Sequence, residues 1–212
     1  MIVMRKALSC LALLVAFVIG VQAQATPIQI TVDTSSLFGM SASLAFDLID
    51  GDGGSTPSSV TISGFNSDGT LAGHSSSASG VTGALPGTVT LTDTEFFVEY
   101  LQQITLGNLI TFIFDASGNF AGLTPDSFSF FILNETATAS LITTSDPTGA
   151  NALFLYGSSE GPPLALFSSL VTAGVPNNAP EPGSDALVMA GALALGFVHA
   201  FGQRRLRRRV RV

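Results

Sequence analysis

Lysine and arginine are missing from the whole middle of this chain. All eight stand at its ends: Arg5 and Lys6 near the start, and six arginines between Arg204 and Arg211 at the finish. Of the fifteen acidic residues only Glu181 and Asp185 lie in the C-terminal stretch, which leaves thirteen between Gln24 and Ala179. Phosphate neutralisation draws on Lys and Arg, so a body without either excludes nucleic acid as a partner. Internal Lys or Arg ion pairs are excluded with it. The surplus of negative charge bears on solubility and association, not on the choice of fold.

Tryptophan is absent, and the one cysteine, Cys10, sits in an apolar N-terminal stretch. The rest of the chain therefore has no disulfide, and with only His74 and His199 beside it the composition argues against a structural zinc site. Sixteen phenylalanines stand against two tyrosines, a balance that favours a dry core over a sticky aromatic surface.

The two ends read as addresses. Residues 1–25 have a positive start (Arg5, Lys6), an apolar stretch from Ala7 to Val21 and small residues around Ala23 and Ala25. That layout predicts a secretory signal peptide cut by signal peptidase after Ala23 or Ala25, the alternative being an uncleaved anchor. Cys10 has most of the apolar core after it, which argues against lipidation. At the other end Ala186 to Gly202, "ALVMAGALALGFVHAFG", is an apolar run of 17 residues. As a helix it would reach roughly 26 Å, near the hydrocarbon thickness of a bilayer. A transmembrane helix is expected over residues 186–203, followed by a basic cytoplasmic tail over 204–212; arginine-rich flanks stay inside, so the body faces outward. Gly191, Gly196 and several alanines make it a weak hydrophobe, suited to a transient stop. His199 lies near its arginine end, where it can approach the interface; a proton relay is the alternative.

Between body and tail stands "PNNAPEPGSD", residues 176–185. Proline forbids regular pairing and pushes the residue before it toward extended geometry, so Pro180-Glu181-Pro182-Gly183 keeps an exposed strip above the membrane. Pro-Glu-Pro, then an apolar helix, then an arginine cluster resembles the PEP-CTERM sorting signal. The resemblance covers about residues 179–209, and its three elements differ in chemistry and occur in order beside an export signal. It implies that Pro180, Glu181 and Pro182 are the recognition element for exosortase, a membrane-embedded transpeptidase-like protease. It also implies a Gram-negative host that makes extracellular polysaccharide, transient residence in the inner membrane, and final placement at the cell surface or beyond it. The alternative is an ordinary tail anchor with an accidental Pro-Glu-Pro.

The body, residues 26–174, shows short apolar alternation broken by turn chemistry, and residues 175–185 read as its linker. In "PIQITVD" Ile28, Ile30 and Val32 share a face, and in "SASLAFDLID" Ala42, Leu44, Phe46 and Leu48 do, both at the strand period of two. Further strands are expected at 60–65, 88–92, 96–101, 109–114, 127–133, 137–143, 152–156 and 164–171. Their separators, such as "IDGDGGSTPSS", "NSDGT", "DASGN" and "LTPDS", carry the residues that set tight turns. About ten short strands with no convincing amphipathic helix predict an all-β fold, an antiparallel β-sandwich of jelly-roll type. "VDTSSL", "LPGTVTL", "PDSFSF" and "SDPTGANALF" resemble an ectodomain that recurs in exported PEP-CTERM proteins.

Candidate chemistry is sparse. His74 in the Gly/Ser-rich "AGHSSSASG" is the body's one histidine, and a Ser/His/Asp arrangement with Ser75 or a distant serine is weighed against a solvated loop residue. Asp93, Glu95 and Glu99 are neighbours in sequence and could serve as paired glycosidase carboxylates, against the reading of solvated charges at a strand edge. No Lys or Arg positions a charged substrate and no Trp stacks a sugar, so the expectation is a protein without catalytic activity. Asp47, Asp50 and Asp52 in "DLIDGDGG" form a candidate calcium turn, because calcium takes carboxylate and carbonyl oxygens from flexible loops; the later glutamate of an EF-hand is missing. Calcium is the one cofactor considered. Asn134-Glu135-Thr136 matches a glycosylation acceptor, though at the end of a strand that reads as buried. These features lead to an exported surface or matrix protein associated with envelope, biofilm or exopolysaccharide. A carbohydrate- or calcium-binding jelly-roll module is the alternative, and a secreted hydrolase a third.

Overall fold

The structure is a computed structural model that describes residues 27–54, 57–77, 79–157 and 163–176. The expected signal peptide, the transmembrane helix, the arginine tail and Pro180-Glu181-Pro182 lie outside those residues. Among the described residues no helix is long and apolar enough to cross a membrane.

Among the described residues, twelve strands and one turn of 3-10 helix, Ser35–Leu37, make up the body. The strands are β1 (Ile28–Asp33), β2 (Ser41–Ile49), β3 (Ser59–Ser67), β4 (Thr70–Ser76), β5 (Val81–Gly83) and β6 (Val89–Thr92). They continue with β7 (Phe97–Thr105), β8 (Leu109–Ser117), β9 (Ser127–Asn134), β10 (Phe154–Tyr156), β11 (Leu164–Leu166) and β12 (Val171–Gly174). The chain divides into two units at Val175/Pro176, and every strand belongs to the first. One six-stranded sheet has the order β12-β1-β8-β3-β6-β5 and the other β11-β10-β9-β2-β7-β4, with all pairings antiparallel.

Alternation builds the core. In β8 Ile110, Phe112, Phe114 and Ala116 point inward while Thr111 and Asp115 point out, as a period of two requires. Phe46 of β2 meets Phe112 of β8 from the opposite sheet with ring centroids 5.7 Å apart in an edge contact, and Phe112 meets Phe130 of β9 at 5.4 Å. Phe114 and Phe128 stand 5.0 Å apart across the same interior. Each such ring, buried, contributes roughly 2–3 kcal/mol of hydrophobic stabilisation. The phenylalanine surplus is thus the layer that holds one sheet on the other.

Three expectations need correction. Residues 137–143 form no strand: Asn134 at the end of β9 accepts from the Thr138 N–H at 2.8 Å, Ala137 adopts φ 55°, and a single bridge joins Leu133 to Ser140. The stretch 164–171 is two strands, because β11 pairs with β10 in one sheet and β12 with β1 in the other; a turn closed by Val171 N–H to the Ser168 carbonyl carries the chain between them. Finally, "TLAGHSS" is β4 and not a loop. As an edge strand it has one neighbour, β7, and buries almost nothing, so it carries no apolar alternation.

Candidate functional site

The end of the sandwich where β2, β6 and β8 finish and β3 and β9 begin gathers acids from three loops. Asp50 and Asp52 follow β2, Asp93 follows β6, and Asp126 precedes β9. Carboxylate oxygens of Asp50, Asp52 and Asp126 lie within 4.8 Å of one another, and Asp50 and Asp126 are buried. Backbone donors hold them. Asp50 Oδ1 accepts from the N–H groups of Asp52 (3.0 Å) and Gly53 (2.7 Å), and Asp126 Oδ1 from Gly51 N–H at 2.8 Å. Asp126 Oδ2 also takes a short hydrogen bond from the Ser58 hydroxyl, which in turn accepts from Asn119 N–H at 2.8 Å. Asn119 Nδ2 donates to Asp52 Oδ2 at 3.0 Å, closing the ring. The loops touch: a Cβ on Gly51 would collide with the Pro125 carbonyl, so only glycine permits that approach.

Asp93 stands beside this group and accepts from Ser58 N–H at 2.8 Å. Burial pushes its carboxyl up, the Ser58 bond pulls it down, and the charges of Asp126 and Asp50 push it up again, with a net rise. A set of hard oxygens on loops with no Lys or Arg among them could hold a calcium ion.

The structure brings together two of the three residues of the candidate turn. Asp50 and Asp52 belong to the acidic corner, whereas Asp47 lies inside β2, which runs on to Ile49, and faces outward between Glu99 of β7 and Ser129 of β9. Burial, then the charge of Glu99, pushes Asp47 up to about 7, and its buried Oδ1 has no hydrogen-bond partner. Asp126, Asn119 and Ser58 lie in segments whose sequence signals only tight turns. Asn119 stands 67 positions beyond Asp52 and Asp126 stands 75 beyond Gly51, and although Ser58 follows Asp52 closely, nothing local marks the three as parts of one cluster.

The carboxylates considered for glycosidase chemistry go to separate places. Asp93 joins the corner, Glu95 is exposed and takes a bond from the Ser79 hydroxyl, and Glu99 sits on the outer face of β7 opposite Asp47. His74 is exposed on the edge strand β4, its ring 5.7 Å from that of Tyr100, and Ser75 follows it. A cleft of about 630 Å³ opens there, bounded by Gly73, His74 and Ser75 on one side and by Glu135 and Thr136 on the other. Asn134 of the glycosylation pattern spends its amide on its own turn, donating to the Thr138 hydroxyl at 3.0 Å.

Two antiparallel sheets about one aromatic core, with an acid-lined corner and a polar cleft, define a β-sandwich whose candidate sites lie on loops and on one sheet face. Comparison with protein-family models, with curated proteins and with solved structures finds no match.

Proposed function

We propose that the chain is a non-catalytic exported surface or extracellular-matrix protein whose C-terminus is a sorting signal of PEP-CTERM type. The observation that carries this is the order of three unlike elements at one end: Pro180-Glu181-Pro182, the apolar run to Gly202, and the arginine cluster from Arg204. In this reading signal peptidase removes the leader, the apolar run holds the protein briefly in the inner membrane of a Gram-negative cell, and exosortase cuts at the Pro-Glu-Pro strip. The body then joins the envelope or an extracellular polysaccharide layer. The separation of Asp93, Glu95 and Glu99 weighs against a glycosidase pair, which needs its two acids a few ångströms apart.

The winding of the sheets favours a jelly roll. The first three strands pair with later ones in reverse order, β1 with β8 and β3 with β6 in one sheet and β2 with β7 in the other, as in a long hairpin rolled over on itself, while β4 joins β7 and β5 joins β6. Strands β9 to β12 widen both sheets at the far edge.

Replacing Pro180, Glu181 and Pro182 with alanine tests the sorting reading. Full-length protein is expected to accumulate in the inner membrane, detected by immunoblot with a tag on the C-terminus; normal processing of that variant would overturn the reading. A second reading, a calcium-binding jelly-roll module, is favoured by the three carboxylates of Asp50, Asp52 and Asp126 within 4.8 Å.

A further inference from the structure

The first and last strands of the body both open onto one end of the sandwich. β1 begins at Ile28, level with Phe114 near the finish of β8, and β12 ends at Gly174, level with Gln29. The acidic corner occupies the same end, because β8 runs on to Ser117 and from there into the loop that carries Asp126. Three large apolar side chains stand there in the open: Phe96 at 73% exposure, Leu123 at 98% and Val175 at 71%. The Phe96 carbonyl accepts from Asp50 N–H at 3.0 Å, which fixes it at the end of β2; Leu123 lies in the loop from β8 to β9, and Val175 follows β12. In the first sheet β12 is an edge, β8 lies two places in, and β6, which leads to Phe96, two places further. At about 4.8 Å per strand the three are set out over roughly 20 Å instead of packing as one patch.

We propose that this end of the body rests on a bilayer surface of zwitterionic, amine-bearing lipid, with Phe96, Leu123 and Val175 dipping into the interface. Separate apolar tips suit a fluid plane that moulds around each of them, whereas a protein partner needs a contiguous apolar core to its contact. Charge selects the lipid. Asp50, Asp52, Asp93, Glu95 and Asp126 lie at this end and no Lys or Arg stands in the body, so anionic headgroups repel it, while ammonium headgroups complement the exposed Glu95. The chain brings the surface close. About ten residues, Pro176 to Asp185, separate Val175 from the apolar run, a reach of at most about 35 Å when fully extended. At that range the bilayer is present at high effective concentration, so tips too few to bind from solution suffice for a tethered body.

The docking rests on the apolar run as a membrane anchor, part of the reading above, but its test is separate. The chain has no tryptophan, so Phe96→Trp, Leu123→Trp and, at the opposite end of the sandwich, the exposed Phe38→Trp each supply a single probe. Each full-length variant is reconstituted into phosphatidylethanolamine–phosphatidylcholine vesicles with brominated acyl chains. At least twofold quenching of the tryptophans at 96 and 123 and none at 38 is expected, weakening when phosphatidylglycerol is added at low salt. The quenching at 123 is expected to be lost when Phe96→Asp is added. Unquenched probes at 96 and 123, equal quenching at 38, or quenching that strengthens with phosphatidylglycerol would each overturn the docking. So would a blue shift that follows protein concentration and ignores the brominated lipid, which would assign this end to a second copy of the chain. Protein that floats with the vesicles but is unquenched removes the docking alone, and failure to float removes the anchor with it. Quenching together with normal processing of the variant lacking Pro-Glu-Pro removes the sorting reading alone.

Discussion

Asp47 faces Glu99 across adjacent strands, and like charges directly opposite on a sheet repel. The pair is tolerated because burial, chiefly, and the charge of Glu99 raise Asp47 to about 7; burial also raises Glu99. A carboxyl whose pKa in the folded state exceeds that in the unfolded chain stabilises through its protonated form. That contribution is complete below about pH 4 and is lost as pH rises through about 7. Asp47→Asn keeps the shape and drops the charge, so it is expected to raise stability at pH 8 by on the order of 2 kcal/mol, after allowance for solvent screening, and to leave stability nearly unchanged at pH 4. Urea melts at both pH values measure this; an equal effect at both would refute the charge explanation. Asp68 has the opposite sign. Hydrogen bonds from the Asn108 side chain and from the N–H groups of Asn108 and Leu109 lower it to about 2, so its contribution is present above about pH 4 and lost only as pH falls toward 2. It leaves the slope above pH 4 to the raised carboxyls of Asp47, Glu99 and Asp93.

Among the elements, β4 buries no residue and is anchored through polar contacts. Its register slips between Leu71 and His74, and the slip aims the carbonyls of Ala72 and Gly73 at Gln102, an inward-facing glutamine on β7. Gln102 Nε2 donates to both, at 3.0 and 3.2 Å, while its Oε1 accepts from the Tyr100 hydroxyl at 2.8 Å. That hydroxyl accepts from Leu85 N–H at 3.0 Å, so one relay ties β4, β7 and the loop after β5. Gln102→Leu keeps the bulk and strands a buried hydroxyl and two carbonyls. A loss of about 2–3 kcal/mol is expected, with β4 amides losing hydrogen-exchange protection first. Calorimetry and exchange together check it; a loss under about 0.5 kcal/mol would mean the relay is incidental. This anchorage was not legible beforehand, since a glutamine in "EYLQQIT" looks like any outward polar residue. The apolar alternation of β1, β2 and β8 was legible, because a face against a core must repeat every second residue. An edge strand such as β4 has no such duty and left no pattern. Asp50 and Asp52 were visible as a turn, but Asp126 joins them only through the pairing of β2 with β9, and pairing between strands some 80 residues apart is a property of topology, not of local spacing.

For the molecule as a whole, the body's formal charge is of one sign. With every Lys and Arg outside it, interactions among its ionised side chains are overwhelmingly repulsive, and folding brings those charges closer together. Sodium chloride shortens the Debye length from about 30 Å at 0.01 M to about 10 Å at 0.1 M, so the melting temperature is expected to rise with salt across that range. A fall would contradict the charge argument. Calcium separates general screening from a site. At matched ionic strength and about 100-fold above its Kd, an ion bound by Asp50, Asp52 and Asp126 adds about 2.7 kcal/mol beyond screening. Asp52→Asn removes charge from the least buried of the three carboxylates, so it is expected to lose that increment while keeping the sodium response. Equal melting temperatures in calcium and sodium chloride would leave the corner as a hydrogen-bonded clasp between loops, held by Gly51, Ser58 and Asn119, and would remove calcium from the account of what the sandwich binds.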